Sequence, residues 1–144
     1  MKILIAYLSY SGNTEEVAEL IEARLRENGI SVDMYEIGFG IVPNVKEYDF
    51  LCLGSFTWDY GGTPDEVKDF ILEVGYKPEN VAVFGTGDTQ FGGDELYCLA
   101  VDKLVHFYQS KWPGLKIEQS PRGHQEAYVN EWVEGVLEDV TVYA

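Results

Sequence analysis

The chain has 144 residues, 46% hydrophobic and 14% aromatic, which excludes a disordered polymer and suits one domain, residues 1–144, around one core. Ten Lys and Arg against 25 Asp and Glu give a formal charge of −15, which argues against nucleic acid or an anionic membrane surface as a partner. Cys52 and Cys98 stand apart with no CxxC or Cys/His ligand spacing, so both read as lone thiols. The apolar runs are too short for a membrane span or a signal-peptide core, so a cytoplasmic protein is expected.

In chain order, KILIAYL (residues 2–8) is a short apolar run rich in β-formers. Val17, Leu20, Ile21 and Leu25 recur at helical spacing, and Asn28-Gly29 ends that helix. SVDMYEI (31–37) alternates like a strand, and 38–48 reads as loop with a short helical turn. DFLCLGS (49–55) is apolar enough to be a strand buried on both faces, with Cys52 inside it. Val67, Phe70, Ile71 and Val74 define a helix opened by Thr63-Pro64-Asp65-Glu66, with Pro64 expected as its first residue and acids in its first turn. NVAVFGTG (80–87) is another buried strand. Leu96, Tyr97, Ala100, Val101, Leu104, Val105 and Tyr108 mark a helix, LKIEQS (115–120) a strand, and Val129, Trp132, Val133, Val136 and Leu137 the last helix. Trp112, Trp132 and His106 read as packing or surface residues, and His124 as loop.

The order β-α-β-β-α-β-α-β-α, with strands apolar throughout, predicts a doubly wound parallel sheet covered by helices on both faces. In such sheets ligands bind beyond the carboxyl ends of the strands. Three unusual segments lie there: SYSGNT (9–14), SFTWDYGGTP (55–64) and GTGDTQFGGD (85–94). The first leads from a strand into a helix, where free backbone amides and the helix dipole attract an anion without needing a cation. Ser9, Ser11, Asn13 and Thr14 add polar side chains, and Gly12 lets the backbone turn tightly. It has neither the Gly-Lys-Ser/Thr of an NTP-binding loop nor the three glycines of a dinucleotide site, so it suits a terminal phosphate monoester. A hydroxyl-rich helix cap is the alternative reading. Trp58, Tyr60 and Phe91 lie in the glycine-rich loops on either side, as expected for a flat aromatic ligand held between side chains, or else for loop anchors in the core. Gly85 and Gly87 are expected to permit close approach of backbone to that ligand.

Together, SYSGNTEEVA, GSFTWDYGGTPDEVKDF and GTGDTQFGGDELYCLAVDKL resemble the phosphate loop and two isoalloxazine loops of bacterial flavodoxins, in order and across nearly the whole chain. The length resembles that of the short-chain group. The resemblance implies an α/β flavodoxin-like three-layer sandwich with a five-stranded parallel sheet of order 2-1-3-4-5, an order the pattern itself does not supply. It implies non-covalent FMN. Ser9, Tyr10, Ser11, Gly12, Asn13 and Thr14 would hold the phosphate. Phe56, Thr57, Trp58, Asp59, Tyr60 and Gly61 would form the first ring loop, with Trp58 over one face and the Thr57 hydroxyl on the phosphate or ribityl chain. Thr86, Gly87, Asp88, Phe91 and Gly93 would form the second, with Asp88 near the pyrimidine edge. Two positions depart from the family pattern. Phe91 stands where a Tyr or Trp is usual, so it stacks without a polar edge. Asp59 stands where Gly or Asn is usual, which makes a backbone flip there harder and should let less half-reduced flavin accumulate.

The implied function is a low-potential electron carrier and not an enzyme. It would pass single electrons from an NADPH-dependent flavodoxin reductase to acceptor proteins, acting as a monomer, with no metal and no catalytic residue of its own. Asp59, Asp65, Glu66, Asp69, Asp88, Asp94 and Glu95 would form an acidic rim that docks basic partners. A small quinone or flavin reductase is the competing class; it would need longer loops, and NAD(P)H oxidation by the protein alone would reveal it. A flavodoxin-like activator of a ribonucleotide reductase metal site lacks a Trp loop of this kind. A phospho-receiver would need acids after the first strand and a phosphorylatable Asp after the third, where this chain has hydroxyls and Gly54-Ser55-Phe56.

Overall fold

The computed structural model describes residues 1–57, 62–88 and 97–143. Five parallel strands, β1 (Lys2–Tyr7), β2 (Ser31–Glu36), β3 (Phe50–Phe56), β4 (Val81–Gly87) and β5 (Leu115–Glu118), form one sheet in the order β2-β1-β3-β4-β5. The helices among the described residues are α1 (Asn13–Glu27), α2 (Asp65–Val74), α3 (Leu99–Tyr108) and α4 (Gln125–Tyr143), with a 3-10 turn at Val45–Glu47. The registers bring Tyr7 level with Gly54 and Phe56 level with Thr86, so the carboxyl ends of β1, β3 and β4 lie side by side.

Strand alternation sorts the core into two layers. Ile3, Ile5, Cys52 and Phe84 face α1 and α4, whose inward residues are Val17, Ile21, Leu25, Val129 and Val133. Leu4, Leu51, Leu53 and Val83 face α2 and α3, whose inward residues are Val67, Phe70, Val101 and Leu104. With helices over both faces, the central strands β1, β3 and β4 are buried on both sides, which explains their unbroken apolar runs, while the edge strands β2 and β5 alternate. Cys52 and Cys98 are free, buried and in opposite layers of the sandwich. Burial pushes both thiols up to about 12. Trp112 and Trp132 pack against Phe50 and Phe84, the latter also donating from its indole N–H to the Pro113 carbonyl at 2.8 Å. His106 and His124 are exposed.

Three boundaries differ from expectation. Pro64 is the cap of α2 and not its first residue: its ψ of 143° is extended, while its carbonyl accepts from Val67 and Lys68 at 3.1 and 3.3 Å. β5 stops at Glu118 because Gln119 turns left-handed, with φ 57°. α3 starts at Leu99, after Cys98 with φ 49°; Leu96, expected on this helix, lies outside the described residues.

Candidate functional site

The chain leaves β1, returns as β2 on one side, then crosses to β3 on the other, so the carboxyl ends of β1 and β3 border a switch point. The segment 9–14 lies there. Gly12 caps α1 in the left-handed region (φ 93°) and, being glycine, offers no side chain to the first helical amides. The hydroxyls are used one step earlier: Ser9 Oγ accepts from the Gly12 amide at 3.1 Å, and Ser11 Oγ from the Asn13 amide at 3.5 Å. The hydroxyl-rich cap is thus partly formed, since Asn13 is the first residue of α1. The first turn of α1 keeps amides that need an acceptor, ringed by hydroxyls that can turn to donate. That donor set fits a phosphate.

Thr14 behaves differently from the two serines. It is 1% exposed, and its hydroxyl lies 2.8 Å from the hydroxyl of Thr86 near the end of β4, itself 3% exposed. Thr57 Oγ1 accepts from the Ala100 amide in the first turn of α3 at 3.1 Å, so it ties the end of β3 to that helix. The Tyr10 ring, 61% exposed, lies 4.8 Å from that of Phe56, joining the first loop to the start of the second. Asp88 accepts from the Gln119 side-chain amide at 3.1 Å. Trp58, Asp59, Tyr60, Gly61, Phe91 and Gly93 lie outside the described residues, so the ring-stacking expectations and the two departures concern positions beyond this geometry.

The two glycines of the β4 end are also required by the protein's own packing. A Cβ on Gly85 would collide with the Ser55 carbonyl oxygen and sit 2.5 Å from Val101 Cγ2. One on Gly87 would lie 3.0 Å from the amide nitrogen and Sγ of Cys98. Both close approaches are to the protein itself, and they let α3 lie tightly on the sheet.

Sequence reasoning missed the segment after β5. The Gln119 amide donates to the Gly87 carbonyl at 2.7 Å, and the Gln125 side chain clamps the turn, accepting from the Glu118 amide at 2.7 Å and donating to the Glu118 and Ser120 carbonyls at 2.8 and 3.0 Å. Its signal was topological, since this loop also leaves the carboxyl end of a strand. It also delivers Arg122, whose guanidinium lies 3.6 Å from Glu16 in the first turn of α1. A cation thus stands near a loop that has none of its own. Glu16 neutralises it, so the local field at the helix start stays non-positive apart from the amides. Burial, followed by Glu15, raises the Glu19 carboxyl above its usual range, another sign of crowded negative charge on this helix. Burial, followed by Glu15 and Glu36, raises the Tyr7 phenol at the end of β1 to about 12.

The family model described as Flavodoxin matches residues 5–132. The chain is 37% identical over 134 residues to "Probable flavodoxin 2" of Bacillus subtilis (strain 168), covering 87% of each. The crystal structure of oxidised Flavodoxin 2 from Bacillus cereus superposes with a TM-score of 0.82 at 34% identity, over 96% of this chain and 99% of that one. Oxidised Flavodoxin 1 from the same organism superposes with 0.83 at 27%, over 96% and 98%.

Proposed function

The chain belongs to the flavodoxin family, and from that premise we propose which of its residues hold the cofactor and which meet its partners. As a flavodoxin it is an FMN-dependent electron-transfer protein, a carrier and not an enzyme. Bound FMN supplies the redox chemistry, taking up and releasing electrons one at a time.

The observation that carries the assignment is the turn at 9–14, with its only partly capped helix start, its hydroxyls and its place at the switch point. The amides of the first turn of α1, with Ser9, Ser11, Asn13 and Thr14, hold the phosphate. Thr57 and Tyr10 line the path between the first two loops. Gly87 and Asp88, braced by Gln119, border the ring's polar edge, and Trp58 and Phe91 cover its faces. Arg122, the cation described nearest the turn, is paired with Glu16, so it does little to offset the phosphate's charge. With 25 acids against ten bases in the chain, this opposes a second electron and keeps the potential low. Asp65 and Asp69, exposed at the start of α2, belong to an acidic rim that receives a basic NADPH-dependent flavodoxin reductase and acceptor proteins. The protein works as one domain, a cytoplasmic monomer; among the described residues no helix is long and apolar enough to cross a membrane.

The test is titration of the purified apoprotein with FMN, followed by quenching of flavin fluorescence. One FMN per chain is expected, with flavin absorption in the near ultraviolet and blue. A protein that refuses FMN overturns the reading.

A further inference from the structure

Thr14 and Thr86 are 72 residues apart, yet their hydroxyl oxygens meet at 2.8 Å, in two residues that are almost wholly buried. Most other polar side chains described at this end are half-buried or exposed. Thr86 is also the better anchored. It lies in β4, level with Phe56 of β3 on one side and Ile117 of β5 on the other. Thr14 lies in the first turn of α1.

We propose that Thr86 is a positioning residue for the phosphate subsite: by donating to Thr14 it turns the Thr14 proton toward the phosphate, and so makes the chain select the phosphorylated flavin over its dephosphorylated form. A hydroxyl has one proton to give and lone pairs to receive. Either threonine can be the donor in the isolated pair. A phosphate removes that freedom, because its free oxygens only accept. Once Thr14 donates to it, the pair has one remaining polarity, with Thr86 donating and Thr14 accepting. The resulting chain of two hydrogen bonds ends on an anion, where each link polarises and strengthens the next. Riboflavin, with no phosphate, gains nothing from this polarity. The rigid end of β4 thereby fixes the first turn of α1, and a residue that touches no phosphate oxygen contributes to recognising it.

The inference rests on the site taking FMN, and the experiment separates the two. FMN and riboflavin dissociation constants are measured by fluorescence quenching for the wild-type apoprotein, Thr86→Val and Thr86→Ser. The valine keeps the shape and removes the donor; the serine restores it. The expected result for Thr86→Val is FMN binding weaker by roughly 3- to 12-fold, on the scale of one net hydrogen bond between neutral groups, with riboflavin binding changed by less than about twofold. Thr86→Ser should return FMN binding to within about twofold of wild type. Equal weakening of both ligands in Thr86→Val would show a merely structural role and overturn the proposal, as would no change in either. If the valine variant does not fold, Thr86→Cys, with its weak S–H donor, is judged by the same split. Wild-type protein that binds neither flavin would instead overturn the function proposed above.

Discussion

Gly12 shows at single-residue scale how the turn at residues 9–14 is made. Its φ of 93° is open to glycine and strained for other residues, and a Cβ built there has nothing within 4 Å. Any loss in Gly12→Ala is therefore torsional and not steric. It should lower the apoprotein's unfolding free energy by about 1–2 kcal/mol in a denaturant titration, and Gly12→Asn should recover part of that, because Asn tolerates the left-handed region. A loss as large in the Asn variant would contradict this account. The hydroxyls and this glycine were legible from SYSGNT alone, because their spacing at a strand-to-helix turn is local information. The partner of Thr14 was not, since nothing in residues 9–14 points to position 86.

Among the elements, β3, β4 and α3 are locked together where the second ring loop begins. Gly85 admits the Ser55 carbonyl and Val101, and a methyl group has no space between a backbone oxygen and a helix already packed on the sheet. Gly85→Ala should cost on the order of 3 kcal/mol of stability, visible as a fall in melting temperature of the apoprotein. Melting within a degree or two of wild type would mean that α3 can shift outward freely. The helices and strands themselves were readable from periodicity, with boundary errors of one to three residues. Those errors sit at the ends of elements, where a carbonyl from the cap or a left-handed residue decides the last turn: Pro64 before α2, Cys98 before α3 and Gln119 after β5.

For the whole molecule, charge and buried phenols set the response to solution conditions. Docking through an acidic rim predicts that electron transfer from a basic reductase slows roughly tenfold when salt rises from about 0.01 M to about 0.1 M, as the screening length falls from about 30 Å to about 10 Å. A rate insensitive to salt in stopped-flow measurements would remove the acidic rim from the account. Alkaline pH probes the core. Burial raises the phenols of Tyr7, Tyr48 and Tyr108 from 10.0 to about 12, with Asp33 adding to the effect at Tyr48, where it accepts the phenolic proton at 2.7 Å. An acid with a raised folded-state pKa ionises first in the unfolded chain. Stability should thus begin to fall near pH 9, where the two buried thiols ionise first in the unfolded chain, and fall more steeply from 10 to about 12 as the phenols follow. Denaturation midpoints across that range, with tyrosinate absorbance, give the check; a flat profile would show that these phenols are reached by solvent in the folded protein.

The alternation of apolar strands with amphipathic helices, the acidic charge and the three loop motifs are all properties of short segments or of composition. For that reason the α/β class, the flavodoxin resemblance and the hydroxyl-rich turn could be read without a structure. The contacts that join distant segments had to come from the fold: Thr14 with Thr86, Thr57 with the start of α3, Gln119 with Gly87 and Asp88, and Arg122 with Glu16. Each depends on which strand ends lie side by side, and that order is decided by how the whole sheet buries its two faces. No local pattern encodes it.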